Sequence, residues 1–188
     1  MTKFLLHGGA TNKPIQTNKN FFHEAVAGLK GKIKVLIVYF ARKKEDYPWM
    51  FEQDKNNFLL NSPGKDIEFE IADFNPKTFK KQIKNSEVIY VRGGNTLPLI
   101  KQITRLPDFA DLLKDKVYAG SSAGMYLIAK YYWSTDREKV ESGLGILQIK
   151  AFAHWDESKQ EDLLKLKNFN GDLPIYKVPE GEYIVIEV

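Results

Sequence analysis

The 188-residue sequence has no cysteine. It therefore offers no disulfide framework, no thiolate zinc site and no cysteine nucleophile. Only three histidines are present, His7, His23 and His154, which leaves little room for a histidine-rich metal site. No apolar run reaches the roughly 18–20 residues of a membrane span. Near the N-terminus the longest apolar stretch is Phe4-Leu5-Leu6, too short for the core of a secretion signal. The expectation is a cytoplasmic protein without a membrane partner. A large excess of one charge is missing as well: 28 basic and 24 acidic residues give +4. The basic residues are scattered, and Arg42-Lys43-Lys44 runs straight into Glu45-Asp46. Nucleic-acid binders cluster basic groups on one face among aromatics, so a nucleic-acid partner is not expected.

What is present is ordinary for a globular chain, with 43% hydrophobic and 28% charged residues. The length suits one domain over residues 1–188. Short apolar runs alternate with helical spacing. Lys3–His7 predicts a first strand, ended by Gly8-Gly9. Asn18–Leu29 carries Phe21, Phe22, Ala25, Val26 and Leu29 at helical intervals. Lys34–Ala41 is a continuous apolar run, the mark of a strand buried on both faces. Tyr47–Leu60 predicts a helix. Ile67–Ile71 alternates with Glu68 and Glu70 and suits a strand near a sheet edge. Pro76–Lys84 is a short helix and Glu87–Val91 another buried strand. Helical segments follow at Thr96–Thr104 and Pro107–Lys114, then a strand at Val117–Gly120 and a helix over Met125–Tyr132. A strand over Ile146–Phe152, a helix over Glu157–Leu166, and strands over Ile175–Val178 and Tyr183–Val188 complete the chain. The alternation predicts a mostly parallel, doubly wound α/β sheet covered on both faces, with its site at the strand C-termini.

Gly120-Ser121-Ser122-Ala123-Gly124 lies between a strand and a helix, the setting of a nucleophile elbow. In such a turn the residues two before and two after the nucleophile crowd together, and glycine at 120 and 124 removes the colliding side chains. Ser122 is then lifted out of the sheet. The Ala123 N–H, at the start of a helix, can face a developing oxyanion. A second glycine turn, Arg92-Gly93-Gly94-Asn95-Thr96, follows the Glu87–Val91 strand and should open on the same edge. It offers a second oxyanion amide from Gly94 or its neighbour, or only a tight turn with Asn95 or Thr96 capping a helix. Gly8-Gly9 lacks the spacing of a phosphate-binding loop.

A serine hydroxyl needs a base. His23 lies in a charged stretch of the first helix and should face solvent. His7 ends the first strand, where it either lines the cleft or caps the strand. His154 stands in a loop after a strand, downstream of Ser122, and is the best-placed base. The group that orients it is Asp136 or Glu180; Asp156 is near in sequence but such a neighbour often points away.

Four segments together, Val91–Thr96, Gly120–Gly124, Ser134–Asp136 and Val178-Pro179-Glu180-Gly181, resemble the peptidase E (aspartyl dipeptidase) family, related to cyanophycinase. The resemblance implies a class I glutamine amidotransferase-like three-layer sandwich with serine in place of cysteine. It implies Ser122 as nucleophile, His154 as base, Glu180 or Asp136 as the third member, and Gly94 and Ala123 as oxyanion donors. The implied reaction is hydrolysis of a small peptide substrate with an N-terminal aspartate, without metal or cofactor, by a monomer or homodimer. Asn95, Arg92 and Arg137 are expected at the substrate, and Arg92, Arg137 and Lys150 are candidates to meet an acidic side chain. Two features depart from the longer family members. Arg92 stands where they commonly have a small residue, and the segment between His154 and Glu180 has lysines but no arginine. An esterase or amidase acting on a small non-peptide substrate, or a binding module without turnover, are the alternative readings.

Overall fold

The computed structural model describes residues 1–188. Five strands form a parallel array: β1 (Lys3–His7), β2 (Lys32–Val38), β3 (Asp66–Ile71), β4 (Val88–Val91) and β5 (Val117–Ser121). A last strand, β10 (Tyr183–Glu187), joins antiparallel beside β1, giving the order β10-β1-β5-β4-β2-β3. Strand side chains alternate between faces, and here both faces are buried. Leu5, Val35, Ile37, Tyr90 and Ala119 pack with Phe21, Phe22 and Phe58 of helices α1 (Gln16–Val26) and α2 (Tyr47–Asn61). Their sequence neighbours Phe4, Leu6, Leu36, Val38, Ile89 and Tyr118 face the opposite way. These pack under α3 (Pro76–Lys84), α4 (Thr96–Ile103) and α5 (Phe109–Leu112). This is the sandwich that the uninterrupted apolar runs predict. β3 lies at the edge, as its alternating pattern predicts. No helix is long and apolar enough to cross a membrane.

The second half of the chain departs from a single doubly wound sheet. A four-stranded sheet of order β7-β6-β8-β9 is built from β6 (Ala129–Ser134), β7 (Lys139–Ser142), β8 (Leu147–Ala153) and β9 (Ile175–Val178). The predicted helix over Met125–Tyr132 is therefore corrected. Helix α6 spans only Ala123–Ile128, and the chain continues as strand β6. The cause is local. The segment 143–145 donates its amides to Lys130, Leu127 and Ala129 carbonyls at 3.2, 2.8 and 3.0 Å, taking acceptors that a longer helix would use itself. Gly143 permits this approach: a Cβ there would lie 2.2 Å from the Tyr126 carbonyl oxygen. Tyr131-Tyr132-Trp133 then suits a strand. A short 3₁₀ turn at Glu157–Lys159 leads into α7 (Gln160–Asn168).

In the main sheet β1, β5 and β4 are adjacent and parallel, so their C-terminal loops open on one edge. Those loops begin at Gly8, Ser122 and Arg92. The ends of β8 and β9 bring His154 and Glu180 to the same place.

Candidate active site

Ser122 sits in the turn between β5 and α6 at φ 49° and ψ −103°. A non-glycine residue in that region carries strain that the surrounding packing must hold. The packing is close. A Cβ at Gly120 would lie 2.7 Å from the Gly124 carbonyl, and one at Gly124 would lie 2.6 Å from the Val91 carbonyl. The Tyr118 hydroxyl donates to the Gly124 carbonyl at 2.7 Å and braces the turn from below. The crowding across the elbow that the Gly-x-Ser-x-Gly spacing predicts is present.

The Ser122 hydroxyl lies 2.8 Å from His154 Nε2. On the far side of the ring, Nδ1 lies 2.9 Å from Glu180 Oε1. The second Glu180 oxygen accepts from Lys13 Nζ at 2.7 Å. Lys13 first, then His154, hold the Glu180 carboxyl below its ordinary pKa of 4.5, so it stands as a carboxylate. A carboxylate can only accept, which assigns the proton on Nδ1 and leaves the Nε2 lone pair facing the hydroxyl.

Three consecutive carbonyls at the end of β1 tie these groups together. The His7 carbonyl accepts from Ser122 N–H at 2.9 Å, the Gly8 carbonyl from His154 N–H at 2.9 Å, and the Gly9 carbonyl from Gly181 N–H at 3.0 Å. Gly9, at φ +113°, lies against the imidazole: a Cβ there would be 2.2 Å from His154 Cε1. His7 is fully buried and holds the turn. Its Nδ1 accepts from Gly9 N–H at 3.0 Å, and its Nε2 meets the Asn18 side-chain oxygen at 2.8 Å. Burial pushes its pKa from 6.5 down to about 4. The Tyr126 hydroxyl donates to the Ala153 carbonyl and accepts from Ala153 N–H, fixing the residue before His154.

Gly9, Ser122, Tyr126, His154 and Glu180 line a cavity of about 490 Å³, which also includes Thr11, Arg42, Gly93, Gly94, Ser134 and Asp136. Its size suits a small ligand. Gly94 has φ +155°, and a Cβ there would lie 2.4 Å from the Ala41 carbonyl oxygen, so only glycine fits. Its N–H meets no acceptor within the chain. Ala123 opens α6, and its N–H has no intrahelical acceptor. Both predicted oxyanion amides are thus uncommitted.

Several predicted residues are placed elsewhere. Asp136 lines the cavity, but the carboxylate at His154 Nδ1 is that of Glu180. Asn95 lies outside the cavity lining, where its side chain caps α4 by accepting from Leu97 N–H at 3.1 Å. Arg137 also lies outside it, and both Glu141 oxygens occupy its guanidinium at 2.6 Å. Lys150 is fully buried, and its amine donates to the Lys167 and Gly171 carbonyls at 2.7 and 2.8 Å. It serves the second sheet, not the cavity. Arg92 reaches the cavity wall but is buried against Asp54 at 2.9 Å, with Tyr39 donating to the same carboxylate at 2.8 Å. His23 is exposed, as predicted, and bonds the Asn61 carbonyl at 3.0 Å.

Sequence reasoning missed Arg42, Lys13 and Tyr126. The charge run Arg42-Lys43-Lys44-Glu45-Asp46 has the pattern of a solvated face, yet Arg42 lines the cavity and no carboxylate lies within ion-pair distance of it. Nothing in the spacing of Lys13 or Tyr126 singles them out. No group of three or more histidine, aspartate or glutamate side chains is arranged to hold a metal ion.

Comparison with known proteins gives the same fold. A peptidase E-type protein of Listeria monocytogenes EGD-e, so named provisionally, superposes with a TM-score of 0.67 at 18% identity, covering 100% of this chain and 99% of its own. A peptidase from an acI-B1 Actinobacterium superposes with a TM-score of 0.68 at 17% identity, covering 99% of this chain and 83% of its own. These likenesses establish the class I glutamine amidotransferase-like architecture, with mixed, mostly parallel sheets and helices on both sides. No curated protein matches the chain in sequence. The family described as Peptidase family S51 matches residues 4–188. Over nearly its whole length, from the first strand to Val188, the chain belongs to peptidase family S51.

Proposed function

We propose that the chain is a serine peptidase that hydrolyses dipeptides or short peptides, with N-terminal aspartate preferred, through an acyl-enzyme. The observation that carries this reading is the unbroken relay from Ser122 to His154 to Glu180, at 2.8 and 2.9 Å. As the Ser122 oxygen attacks the peptide carbonyl carbon, its proton passes to His154 Nε2. The Glu180 carboxylate stabilises the imidazolium and keeps its ring in line. The carbonyl oxygen, now an oxyanion, takes hydrogen bonds from the Gly94 and Ala123 amides. One such donor is typically worth about 3–4 kcal/mol. His154 returns the proton to the amine nitrogen, the C–N bond breaks, and an ester to Ser122 remains. Water then attacks that ester with His154 again taking the proton. The acid leaves, and Ser122 regains its hydrogen.

The small, polar cavity supports a short substrate. Exposed Asp136 suits a free α-ammonium. A dipeptide library varying the N-terminal residue, run with the wild type and Ser122→Ala, tests the reading. Cleavage should favour aspartate and disappear in the variant. Hydrolysis that persists in Ser122→Ala rules the mechanism out.

A further inference from the structure

The peptide unit between Gly93 and Gly94 is gripped from one side. Arg42 Nε–H donates to the Gly93 carbonyl. The Ala41 carbonyl, one residue earlier, accepts from Asn95 N–H at 2.9 Å. Segment 41–42 thus bonds on both sides of Gly94 and passes so near that a Cβ on Gly94 would lie 2.4 Å from the Ala41 oxygen and 2.9 Å from Arg42 Nε. From the other side, a Cβ at Gly93 would lie 3.0 Å from the Ser122 Cβ. The glycine pair is a thin layer between the arginine and the serine.

In a planar trans peptide the C=O and the N–H point in opposite directions. A guanidinium that captures the Gly93 carbonyl therefore turns the Gly94 N–H the opposite way. That N–H has no acceptor in the chain, and both glycines line the cavity with Ser122. Two adjacent glycines can otherwise rotate this peptide at little steric cost. Without the arginine, the carbonyl could turn toward the serine and present a second acceptor where a donor is needed.

We propose that Arg42 is a positioning residue for the oxyanion site: by holding the Gly93 carbonyl it fixes the Gly94 N–H toward the oxygen that becomes negative when Ser122 attacks. The inference rests on the serine-peptidase reading given above and names a residue outside the relay. It assigns Arg42 to the reacting carbonyl of every substrate, not to a carboxylate of an acidic one.

The test uses a probe without a carboxylate, p-nitrophenyl acetate, beside aspartyl p-nitroanilide. It compares wild type, Arg42→Met and Arg42→Lys, with a fluorophosphonate to titrate reactive serine. Arg42→Met should lower kcat for both substrates by at least about 10-fold and by no more than the ~10²–10³-fold that losing an oxyanion donor costs. KM for the ester should change little. The labelling end point should stay at one per chain while its rate falls. Added guanidinium should restore part of the ester activity, a rescue that damage to packing would not give. Arg42→Lys keeps the aliphatic stem and a charged donor, so it should fall between wild type and Arg42→Met. It carries the test if the methionine variant folds poorly. An unchanged ester rate in both variants overturns the proposal, and so does a loss confined to aspartyl p-nitroanilide, which would make Arg42 a substrate-carboxylate contact. A wild type that neither labels nor turns over the ester would remove the underlying serine-peptidase reading, and this inference with it.

Discussion

Replacing Gly9 with alanine separates the relay from the fold that carries it. The new Cβ would lie 2.2 Å from His154 Cε1 and 2.8 Å from each ring nitrogen. Those separations are far inside contact distance, so one partner must move. The backbone at Gly9 is held by its N–H to His7 Nδ1 at 3.0 Å and its carbonyl to Gly181 N–H at 3.0 Å. The imidazole is freer, with 34% of its side chain exposed, so the ring swings outward. A displacement of about 1 Å carries the bonds to Ser122 and Glu180 beyond useful length. Losing the base costs about 10²–10⁴ in rate. The φ of +113° adds strain of about 1–3 kcal/mol. For a chain of this size that lowers Tm by about 2–4 °C per kcal/mol. The assay is the rate of Ser122 labelling by a fluorophosphonate, with thermal unfolding measured in parallel. Gly28→Ala is the control: it carries a positive φ of +77° but meets nothing within 4 Å. It should lose comparable stability and no reactivity. If Gly9→Ala labels within about threefold of wild type, the contact between the β1 turn and the imidazole does not hold the base.

Two further outcomes follow from buried charge. His7 is neutral in the fold, with its pKa near 4, and titrates at about 6.5 when unfolded. Between those values the unfolded chain binds a proton that the native chain does not. Stability should therefore fall by about 3 kcal/mol as pH drops from about 6.5 to about 4. Urea unfolding of wild type and His7→Asn near pH 7 and pH 4 checks this, and an equal pH dependence in both would refute it. Arg92→Met should cost about 3–5 kcal/mol by stranding Asp54, which is 1% exposed. Burial raises the Asp54 pKa even with Arg92 lowering it. Removing Arg92 raises it further, so the loss should grow as pH climbs past the wild-type folded value; a loss under about 1 kcal/mol by denaturant unfolding would contradict the pairing.

The first half of the fold was legible because each buried strand is a short continuous apolar run, as in Lys34–Ala41. The second half was not. From Met125 to Trp133 the chain is apolar or aromatic except for Lys130, and periodicity does not mark where helix becomes strand. The break is set where the amides of residues 143–145 capture the Leu127, Ala129 and Lys130 carbonyls, a contact with no local signature. Strand β7, Lys-Val-Glu-Ser, is short and mostly polar and reads as loop. At the site, Ser122 and its flanking glycines stood out because steric crowding demands them. His154 stood out among only three histidines. The choice between Asp136 and Glu180 depended on which loop crosses β1, which spacing does not encode. Positive residues were the least legible: Arg92, Arg137 and Lys150 each have partners distant in sequence or committed locally, while Arg42 sits inside an ordinary charge run.

In the proposed mechanism the hydroxyl of Ser122 is activated by His154 and Glu180. Mass spectrometric mapping of the fluorophosphonate adduct tests it without knowledge of the substrate. One adduct on Ser122 in the wild type, absent in Ser122→Ala and strongly slowed in His154→Ala, is the expected result. An unmodified Ser122, or labelling at the same rate without His154, would contradict it.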